Sequence, residues 1–376
     1  MKTENVKGFK DYSGEESKKR AEIKKILVET FEKYGFEPAE TPTIEYEEFV
    51  RGENKNDDAV SDIFKLQDKG KRELALRYEF TFQLKRLMQN KKLPYKRYQI
   101  GVVFRDEPVS QNRFREFTQC DIDTIGSTIK DDAEILSITS EVLKKLGIKF
   151  KICFNNRKLL NEILESEKIN EKEKVMKEID KLDKLSEKEI KANLKKYNAE
   201  KILGIFKKEK KYFEKYNTYS EIKELEKYAQ LYGIKLEFSP SLARGLSYYN
   251  GTIFEIKPTE SKETITAGGS YKFNGIQCVG ISFGLERLTN LANINYEKEI
   301  CLVISLNKDK ESIKLSQKLR DSGKNTIIFY GKPSKALEYA NSQKISKVIF
   351  VGEKEIKNKK FKVKDMKSGK EILLKI

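Results

Sequence analysis

Two runs of aromatic and β-branched residues restrict the fold of this chain more than any other feature of its sequence. They span residues 97–107 (RYQIGVVFRDE) and 113–124 (RFREFTQCDIDT), and a polar turn containing Pro108, Ser110 and Asn112 separates them. Such a pair predicts an antiparallel hairpin. Because side chains alternate along a strand, one face of the second run is charged and polar. Its members are Arg113, Arg115, Phe117, Gln119, Asp121 and Asp123.

The opposite face of the second run is the natural core face. It carries Phe114, Thr118, Cys120 and Ile122. On the first run, Arg105 and Glu107 share one face. Buried charges need partners, so we predict that the charged faces form the floor of a polar pocket. The alternative is a solvent-exposed ladder of ion pairs.

The charged face has the chemistry to bind a nucleotide beside a zwitterion. Arginine forks bind phosphate and carboxylate, an aromatic ring stacks on a base, and carboxylates bind an ammonium group. Gly268, Gly269 and Gly284 permit close backbone approach, and Glu286 and Arg287 open a predicted helix whose N-terminus favours phosphate. The sequence contains no GxxxxGK[ST] loop and no GxGxxG motif, which disfavours the common NTPase and dinucleotide folds.

The remaining patterns predict an α+β chain of two or three domains. Residues 15–34 have helical spacing and end at Gly35. Residues 155–235 are rich in Lys and Glu and predict helices, whereas strand patterns return at 236–284. Residues 300–376 alternate strand and helix, which is typical of a small α/β domain.

Charge and composition narrow the classes of function. The net charge is +17, and residues 301–376 hold 19 basic and 8 acidic side chains, or 19 − 8 = +11 of it. This favours a nucleic-acid-binding terminal domain over a solubilising surface. Of only 13 arginines, six fall in the motifs described here. They are Arg77, Arg105, Arg113, Arg115, Arg244 and Arg287.

Several kinds of chemistry are excluded by what the sequence lacks. It has no histidine, so neither Ser-His-Asp catalysis nor imidazole ligation of a metal is possible. Cys120, Cys153, Cys278 and Cys301 are scattered and predict buried thiols rather than a zinc site or disulfides. The absence of a long apolar run and of a leader-like N-terminus predicts a cytoplasmic protein that does not contact membranes.

The order of the motifs resembles that of the class II aminoacyl-tRNA synthetases. Pro42 stands in the first motif, Phe104-Arg105-Asp106-Glu107 followed by Arg113-x-x-x-Phe117 in the second, and Gly284-Leu285-Glu286-Arg287 in the third. Within this class, LARGLSYYNGTIFE (242–255) and TAGGSYKF (266–273) resemble the R-G-L-D-Y-Y and G-G-R-Y-D segments of the histidyl-tRNA synthetase family. LALRYEFT (74–81) resembles its L-R-P-E-x-T segment, and residues 336–355 resemble its anticodon-binding domain.

The resemblance implies a class II antiparallel sheet flanked by helices. Residues 1–154 and 236–297 would form the catalytic domain, residues 155–235 a helical insertion domain, and residues 298–376 an α/β anticodon-binding domain. The implied activity is ATP-dependent ligation of histidine to tRNA(His) through a histidyl-adenylate, by a homodimer that uses Mg²⁺. No protein side chain is expected to hold a resident metal.

The resemblance also implies residue roles. Arg105, Arg244 and Arg287 would be catalytic. Arg105 would bind the α-phosphate of ATP, and Arg244 the substrate carboxylate and α-phosphate. The other residues expected to bind ATP are Glu107, Arg113, Phe117 and Glu286, with Phe117 stacking on adenine and Arg113 and Arg287 reaching the outer phosphates. The residues expected to bind histidine are Glu79, Thr81 and Gln119 at the ammonium group, Asp123 and Tyr249 at the imidazole, and Tyr248 and Tyr271 along the pocket.

Some positions depart from the family pattern. Tyr78 replaces a proline, Asn112 a glycine and Ser247 an aspartate, and Ser270 and Lys272 replace the Arg and Asp of G-G-R-Y-D. One alternative function is therefore a non-catalytic synthetase-like paralogue that regulates histidine biosynthesis or senses histidine or tRNA. Others are a synthetase for threonine, proline or glycine, and a general RNA-binding protein.

Overall fold

The computed structural model describes residues 2–51, 62–110, 113–183, 185–244, 248–260, 263–358 and 360–375. The chain divides into two compact units, Met1–Ile294 and Asn295–Ile376. None of the helices in these described ranges is long and apolar enough to cross a membrane.

The first unit is built on a large, mainly antiparallel sheet. Its strands, in chain order with those of a small second sheet, are β1 (Glu37–Pro38), β2 (Ile44–Tyr46), β3 (Lys65–Gln67), β4 (Glu73–Leu76), β5 (Tyr95–Phe104), β6 (Glu116–Ile125), β7 (Phe150–Asn156), β8 (Leu236–Phe238), β9 (Tyr249–Pro258), β10 (Thr266–Phe273) and β11 (Ile276–Gly284). The large sheet has the order β1-β5-β6-β11-β10-β9-β7-β8, and β2-β4-β3 form the small one. Only the outer pairs β1–β5 and β7–β8 of the described sheet are parallel.

The helices of the first unit pack on the large sheet, on the small sheet and on one another. They are α1 (Gly14–Lys33), α2 (Glu47–Arg51), α3 (Leu84–Leu87), α4 (Ile129–Lys145), α5 (Arg157–Ser166), α6 (Lys172–Ile179), α7 (Glu187–Lys195), α8 (Ile202–Ile205), α9 (Tyr219–Leu231) and α10 (Leu285–Leu291). The predicted helix at 15–34 is confirmed as α1, and Gly35 follows it with φ +79°. The predicted α+β architecture, an antiparallel sheet flanked by helices, is confirmed.

Two apolar cores lie against the large sheet. The first joins α1, α4 and α10 to the sheet and includes Cys120 and Ile122, so the predicted core face of β6 is confirmed. The second joins α5, α6 and α7 to residues such as Ile253 and Tyr271. The helices of residues 155–235 therefore pack directly on the sheet that carries the charged face. All four cysteines are free and buried, as predicted.

The hairpin is confirmed, but the prediction of its ends was wrong. β5 and β6 pair antiparallel from Tyr95↔Ile125 to Phe104↔Glu116, so Arg105 and Glu107 lie beyond β5, and Arg113 and Arg115 precede β6. The amides of Arg115 and Glu116 both donate to the carbonyl of Gly8. β6 begins at Glu116, and Arg113 forms an isolated bridge with Ser110.

The second unit is a separate α/β sheet. Its elements are β12 (Ile300–Ser305), α11 (Asp309–Asp321), β13 (Asn325–Tyr330), α12 (Pro333–Ser342), β14 (Lys347–Val351), α13 (Glu353–Asn358), β15 (Lys360–Asp365) and β16 (Glu371–Lys375). The strand order is β13-β12-β14-β15-β16, parallel across the first three strands and antiparallel beyond. The predicted strand–helix alternation is confirmed as far as β14.

Candidate active site

A cavity of about 900 Å³ lies over the charged face of β6. Strands β9, β10 and β11, residues 78–81, the loop after β5 and residues 239–244 also contribute to its walls. All fourteen side chains assigned to the site from the sequence line it. They are Glu79, Thr81, Arg105, Glu107, Arg113, Phe117, Gln119, Asp123, Arg244, Tyr248, Tyr249, Tyr271, Glu286 and Arg287.

Asp123 is fixed in the floor of this cavity by two donors. Arg97 on β5 lies 2.7 Å from one carboxylate oxygen, and the Tyr271 hydroxyl donates to the other at 2.6 Å. Arg97 is 0% exposed. Sequence reasoning missed Arg97, although the hairpin register that pairs it with Asp123 provides the signal. A buried ion pair with a second hydrogen bond holds the carboxylate in a single orientation.

Gly280 on β11 leaves the space that Asp123 occupies. A Cβ built at Gly280 would lie 2.1 Å from an Asp123 carboxylate oxygen. Since no side chain fits that distance, the glycine is required by the position of the carboxylate.

Glu79 and Asp121 form, with Asp123, a carboxylate cluster. Burial raises the pKa of Glu79 to about 7, and Arg105 and Thr81 oppose this shift. Burial likewise raises the pKa of Asp121 to about 7, against the lowering effect of Arg97. In the described chain, Glu79 Oε1 and Asp121 Oδ1 are buried without a hydrogen-bond partner. Both oxygens therefore have the capacity to accept a hydrogen bond from a ligand N–H.

Three tyrosines and a glutamine complete this part of the cavity. The ring centroid of Tyr248 lies 4.8 Å from that of Tyr249 and 5.7 Å from that of Tyr271. Gln119 donates to the Ser282 hydroxyl at 2.7 Å, and its Oε1 is buried and unpartnered in the described chain. The result is an aromatic pocket with polar acceptors at its base.

Four arginines form a second group, which we call the arginine cluster. It comprises Arg105, Arg113, Arg244 and Arg287. Burial lowers the pKa of Arg287, and the negative charge of Glu263 opposes this shift. The positive charges of the other three members lower the pKa further. The Arg287 guanidinium donates to the Thr264 carbonyl at 2.6 Å, and Arg244 pairs with Glu255 at 2.5 Å. Gathered positive charges repel one another, so this cluster favours a polyanionic ligand.

Arg105 lies between the two clusters. Its charge acts on Glu79 and on Arg287, and its guanidinium carbon lies 4.2 Å from the Tyr78 ring centroid and 5.1 Å from that of Phe117. Tyr78, a departure from the family pattern, thus contacts a predicted catalytic residue. Arg105 Nε is buried and unpartnered in the described chain.

The two glutamates near the arginine cluster are already bonded. Glu286 accepts from Arg20 at 3.0 Å and from the amide of Thr118 at 3.1 Å, while Glu107 accepts from Arg113 at 3.3 Å. Carboxylate oxygens suit Mg²⁺, which retains several waters and binds through few protein ligands when phosphates are present. Glu107 and Glu286 fit that limited role.

Other residues singled out from the sequence lie outside the cavity. Arg77 donates to the carbonyls of Thr41 and Val102, both at 2.7 Å, and Arg115 pairs with Asp106 at 3.1 Å. The prediction that Arg115 shares the pocket face was therefore wrong, because its guanidinium turns to Asp106 and to the Glu107 carbonyl, whereas Arg113 in the same loop reaches the cavity.

Two departures in β10 also lie away from the cavity. Ser270 donates to Asp132 at 2.7 Å, and Lys272 is exposed. Tyr271 between them faces inward. Asn112 and Ser247 lie outside the described residues.

Two family models together match nearly the whole chain. A model of histidyl-tRNA synthetase matches residues 8–288, and a model of the anticodon binding domain matches residues 300–376. Histidine–tRNA ligase 1 of Bacillus cereus is 36% identical, with 99% of this chain and 97% of that protein covered. Histidine–tRNA ligase 2 of Shouchella clausii is 32% identical, with 98% and 97% covered.

Solved structures agree with this relationship. Histidyl-tRNA synthetase from Nostoc superposes with a TM-score of 0.88 at 25% identity, covering 100% of this chain and 97% of that one. A Bacillus halodurans protein described as an ATP phosphoribosyltransferase regulatory subunit/histidyl-tRNA synthetase has a TM-score of 0.77 at 21% identity, covering 93% and 98%. The latter likeness concerns the fold alone. By sequence over nearly its full length and by fold, the chain belongs to the histidyl-tRNA synthetase family.

Proposed function

We propose that this protein ligates histidine to tRNA(His) in an ATP-dependent reaction through a histidyl-adenylate. The observation that carries the proposal is one cavity in which a carboxylate cluster and an arginine cluster meet at Arg105. The first suits the ammonium and imidazole groups of histidine, and the second suits a triphosphate. The carboxylate of histidine and the α-phosphate of ATP have to meet where the two clusters join.

Histidine would be recognised by acceptors that are already oriented. Glu79, supported by Thr81 and Gln119, would bind the α-ammonium group. Asp123 and Tyr249 would hydrogen-bond the two imidazole nitrogens, with Tyr248 and Tyr271 along the ring. An apolar side chain could not make these hydrogen bonds, and a site built to hydrogen-bond a polar substrate group typically rejects analogues that lack it by roughly 10⁴- to 10⁵-fold.

ATP would lie across the arginine cluster. Arg105 would bind the α-phosphate, Arg113 and Arg287 the outer phosphates, and Phe117 would stack on adenine. Glu107 and Glu286 would assist in holding Mg²⁺, which supplies charge neutralisation at the phosphates when bound. No described group of three or more acidic or cysteine side chains is arranged to hold a metal ion without the phosphates.

The first chemical step needs charge stabilisation more than a base. An oxygen of the histidine carboxylate attacks the α-phosphorus, a P–O bond forms, and pyrophosphate leaves. Both reactants are anions, so fixed cations that stabilise the developing charge lower the barrier. Arg244 stays charged and is able to span the carboxylate and phosphate oxygens.

The second step transfers histidine to the tRNA. A ribose hydroxyl attacks the carbonyl carbon of the adenylate, and AMP leaves. Since the chain contains no histidine, a phosphate oxygen of the adenylate is the proposed proton acceptor. We assign residues 1–154 and 236–297 to catalysis, 155–235 to an insertion domain and 298–376 to anticodon binding, within a cytoplasmic homodimer.

Amino-acid-dependent exchange of pyrophosphate into ATP, measured with all twenty amino acids, tests the proposal. Exchange with histidine alone is expected. Exchange with threonine, proline or glycine would overturn the substrate. No exchange, together with histidine binding in calorimetry, would favour the non-catalytic regulator or sensor.

A further inference from the structure

Residues 239–244, which we call the strap, carry Arg244 to the cavity. None of these six residues belongs to a helix or a strand. The amide of Ser239 still donates to Phe154, and a turn joins Leu242 to Ser239, both at 2.9 Å. Beyond that turn the strap lacks the regular ladder that fixes the neighbouring strands, so another interaction has to hold it.

Two buried side chains, one from β7 and one from the helix that follows it, hold the strap by its carbonyls. Asn155, at the end of β7, donates its amide to the carbonyls of Pro240 and Leu242, both at 3.0 Å. Arg157, the first residue of α5, donates to the carbonyl of Arg244 at 3.3 Å. The three acceptors are alternate residues, so the whole strap is attached along one side.

We propose that Asn155 and Arg157 are positioning residues for Arg244. Arg244 is held at two points. Its guanidinium pairs with Glu255, and its backbone carbonyl accepts a hydrogen bond from Arg157. Asn155 and Arg157 are 0% and 3% exposed, and neither lines the cavity. Because they are buried outside the cavity, they are assigned to the strap rather than to the substrates. The inference rests on the proposed function.

Arg157 also connects the strap to the helical segment. Its other terminal nitrogen donates to Glu173 on α6 at 2.8 Å. The ion pair leaves Arg157 oriented toward the Arg244 carbonyl even though Glu173 itself is mostly exposed. Misplacing a reacting group by about 1 Å typically costs roughly 10²-fold in rate, so small shifts of the strap should be visible in kcat.

Asn156 provides a matched control for Asn155. It is the next residue and is 1% exposed, but it caps α5 by accepting from the amide of Lys158 and donates to Glu221 on α9, both at 2.8 Å. Loss of the side-chain amide of Asn155 or of Asn156 should lower the stability of the fold. Only loss of Asn155 should release the strap.

The experiment compares Asn155→Ala with Asn156→Ala in the full chain, using melting temperature, histidine-dependent pyrophosphate exchange and hydrogen exchange of residues 239–244. We expect Asn155→Ala to lower kcat by roughly 10- to 100-fold and to remove strap protection, and Asn156→Ala to change kcat by less than about threefold at a similar loss of melting temperature. Equal loss of kcat in both, or an intact strap in Asn155→Ala, would overturn the proposal.

A second pair of variants covers the case in which Asn155→Ala does not fold. Arg157→Lys loses the fork that reaches both acceptors and should lower kcat by about tenfold. Glu173→Gln keeps a side-chain oxygen as an acceptor for Arg157 and should change kcat by less than about threefold. Equal effects would overturn the assignment of Arg157. If the unmodified protein shows no exchange, the proposed function fails, and hydrogen exchange of the strap still decides whether Asn155 and Arg157 hold it.

Discussion

The carboxylate cluster and the arginine cluster occupy one cavity but are built in different ways. Asp121 and Asp123 lie inside β6, where cross-strand pairing fixes their direction. The arginines occupy four different kinds of position: Arg105 follows a strand, Arg113 lies in a loop, Arg244 ends the strap and Arg287 lies in the first turn of a helix. The carboxylates are also held by a buried counterion, Arg97. Of the arginines, Arg113 and Arg244 pair with glutamates of the cavity wall, and burial and repulsion from the other arginines lower the pKa of Arg287. In the described chain β6 and Arg97 fix Asp123 of the carboxylate cluster, but Glu79 and Asp121 keep unpartnered acceptor oxygens. The arginine cluster gains charge neutralisation from a polyanionic ligand.

This difference matches the two tasks of the proposed reaction. Discrimination of an amino acid requires buried groups of fixed geometry, because an unpaired polar group penalises the wrong side chain. Binding and activation of a triphosphate requires concentrated positive charge at a place where charge develops. Variants in the arginine cluster should therefore alter kcat, and variants in the carboxylate cluster should alter the histidine KM.

The largest expected effect is that of Arg244→Ala. It should lower kcat for histidine-dependent exchange by roughly 10³-fold, because a cation that stabilises transferring phosphate is worth at least this much. Arg115→Ala is the matched control, since Arg115 lies in the loop and outside the cavity, and should change kcat by less than about threefold. Similar losses of kcat in both variants would show that an arginine inside the cavity contributes no more to the reaction than one outside it.

Asp123→Asn should act on the other cluster. The variant keeps the size of the side chain but loses its charge, so we expect the histidine KM to rise by roughly 10- to 100-fold, while the ATP KM changes by less than about threefold. Steady-state exchange with each substrate varied in turn measures both constants. An unchanged histidine KM would remove Asp123 from the imidazole site. The melting temperature should also fall, because Arg97 is left buried without its partner.

The pH dependence of histidine binding should reflect Glu79. With its pKa raised to about 7, the carboxyl is largely neutral at pH 6 and largely charged at pH 8. An ammonium group prefers the charged form, so the histidine KM should fall about tenfold over this range. Glu79→Gln should have a higher KM with a weaker pH dependence. The imidazole of the substrate and Asp121, whose pKa burial also raises to about 7, titrate in both proteins. A parallel pH profile in the variant would therefore exclude Glu79 as the cause.

The contrast between side chains fixed inside a strand and side chains held by contacts distant in sequence also explains which site residues the sequence alone predicts. Alternation along β6 correctly brings Phe117, Gln119, Asp121 and Asp123 to one face, because a strand has only two faces. It fails for Arg115, whose position depends on a hydrogen bond to Gly8, more than a hundred residues away in sequence.

The sequence patterns did not identify Arg97, Asn155 and Arg157, for a related reason. Each is a buried polar residue whose partner is brought to it by tertiary structure, across the hairpin for Arg97 and across the 155–235 helices for the other two. Local periodicity marks such residues as anomalies within a core without naming the partner. The family motifs located the cavity residues, but they carry no information about what supports them.

The smallest expected effect is that of Lys272→Asp, which restores the family residue in β10. Lys272 is exposed and lies outside the cavity, so kcat and both KM values should change by less than about twofold. Tyr271→Phe in the adjacent position is the control. It removes the hydroxyl that donates to Asp123 at 2.6 Å and should raise the histidine KM by about tenfold. If Lys272→Asp altered the histidine KM as much as Tyr271→Phe, the division of β10 into a tyrosine that faces the cavity and neighbours that face away from it would be wrong. The departures from the G-G-R-Y-D pattern would then have to act on the carboxylate cluster directly.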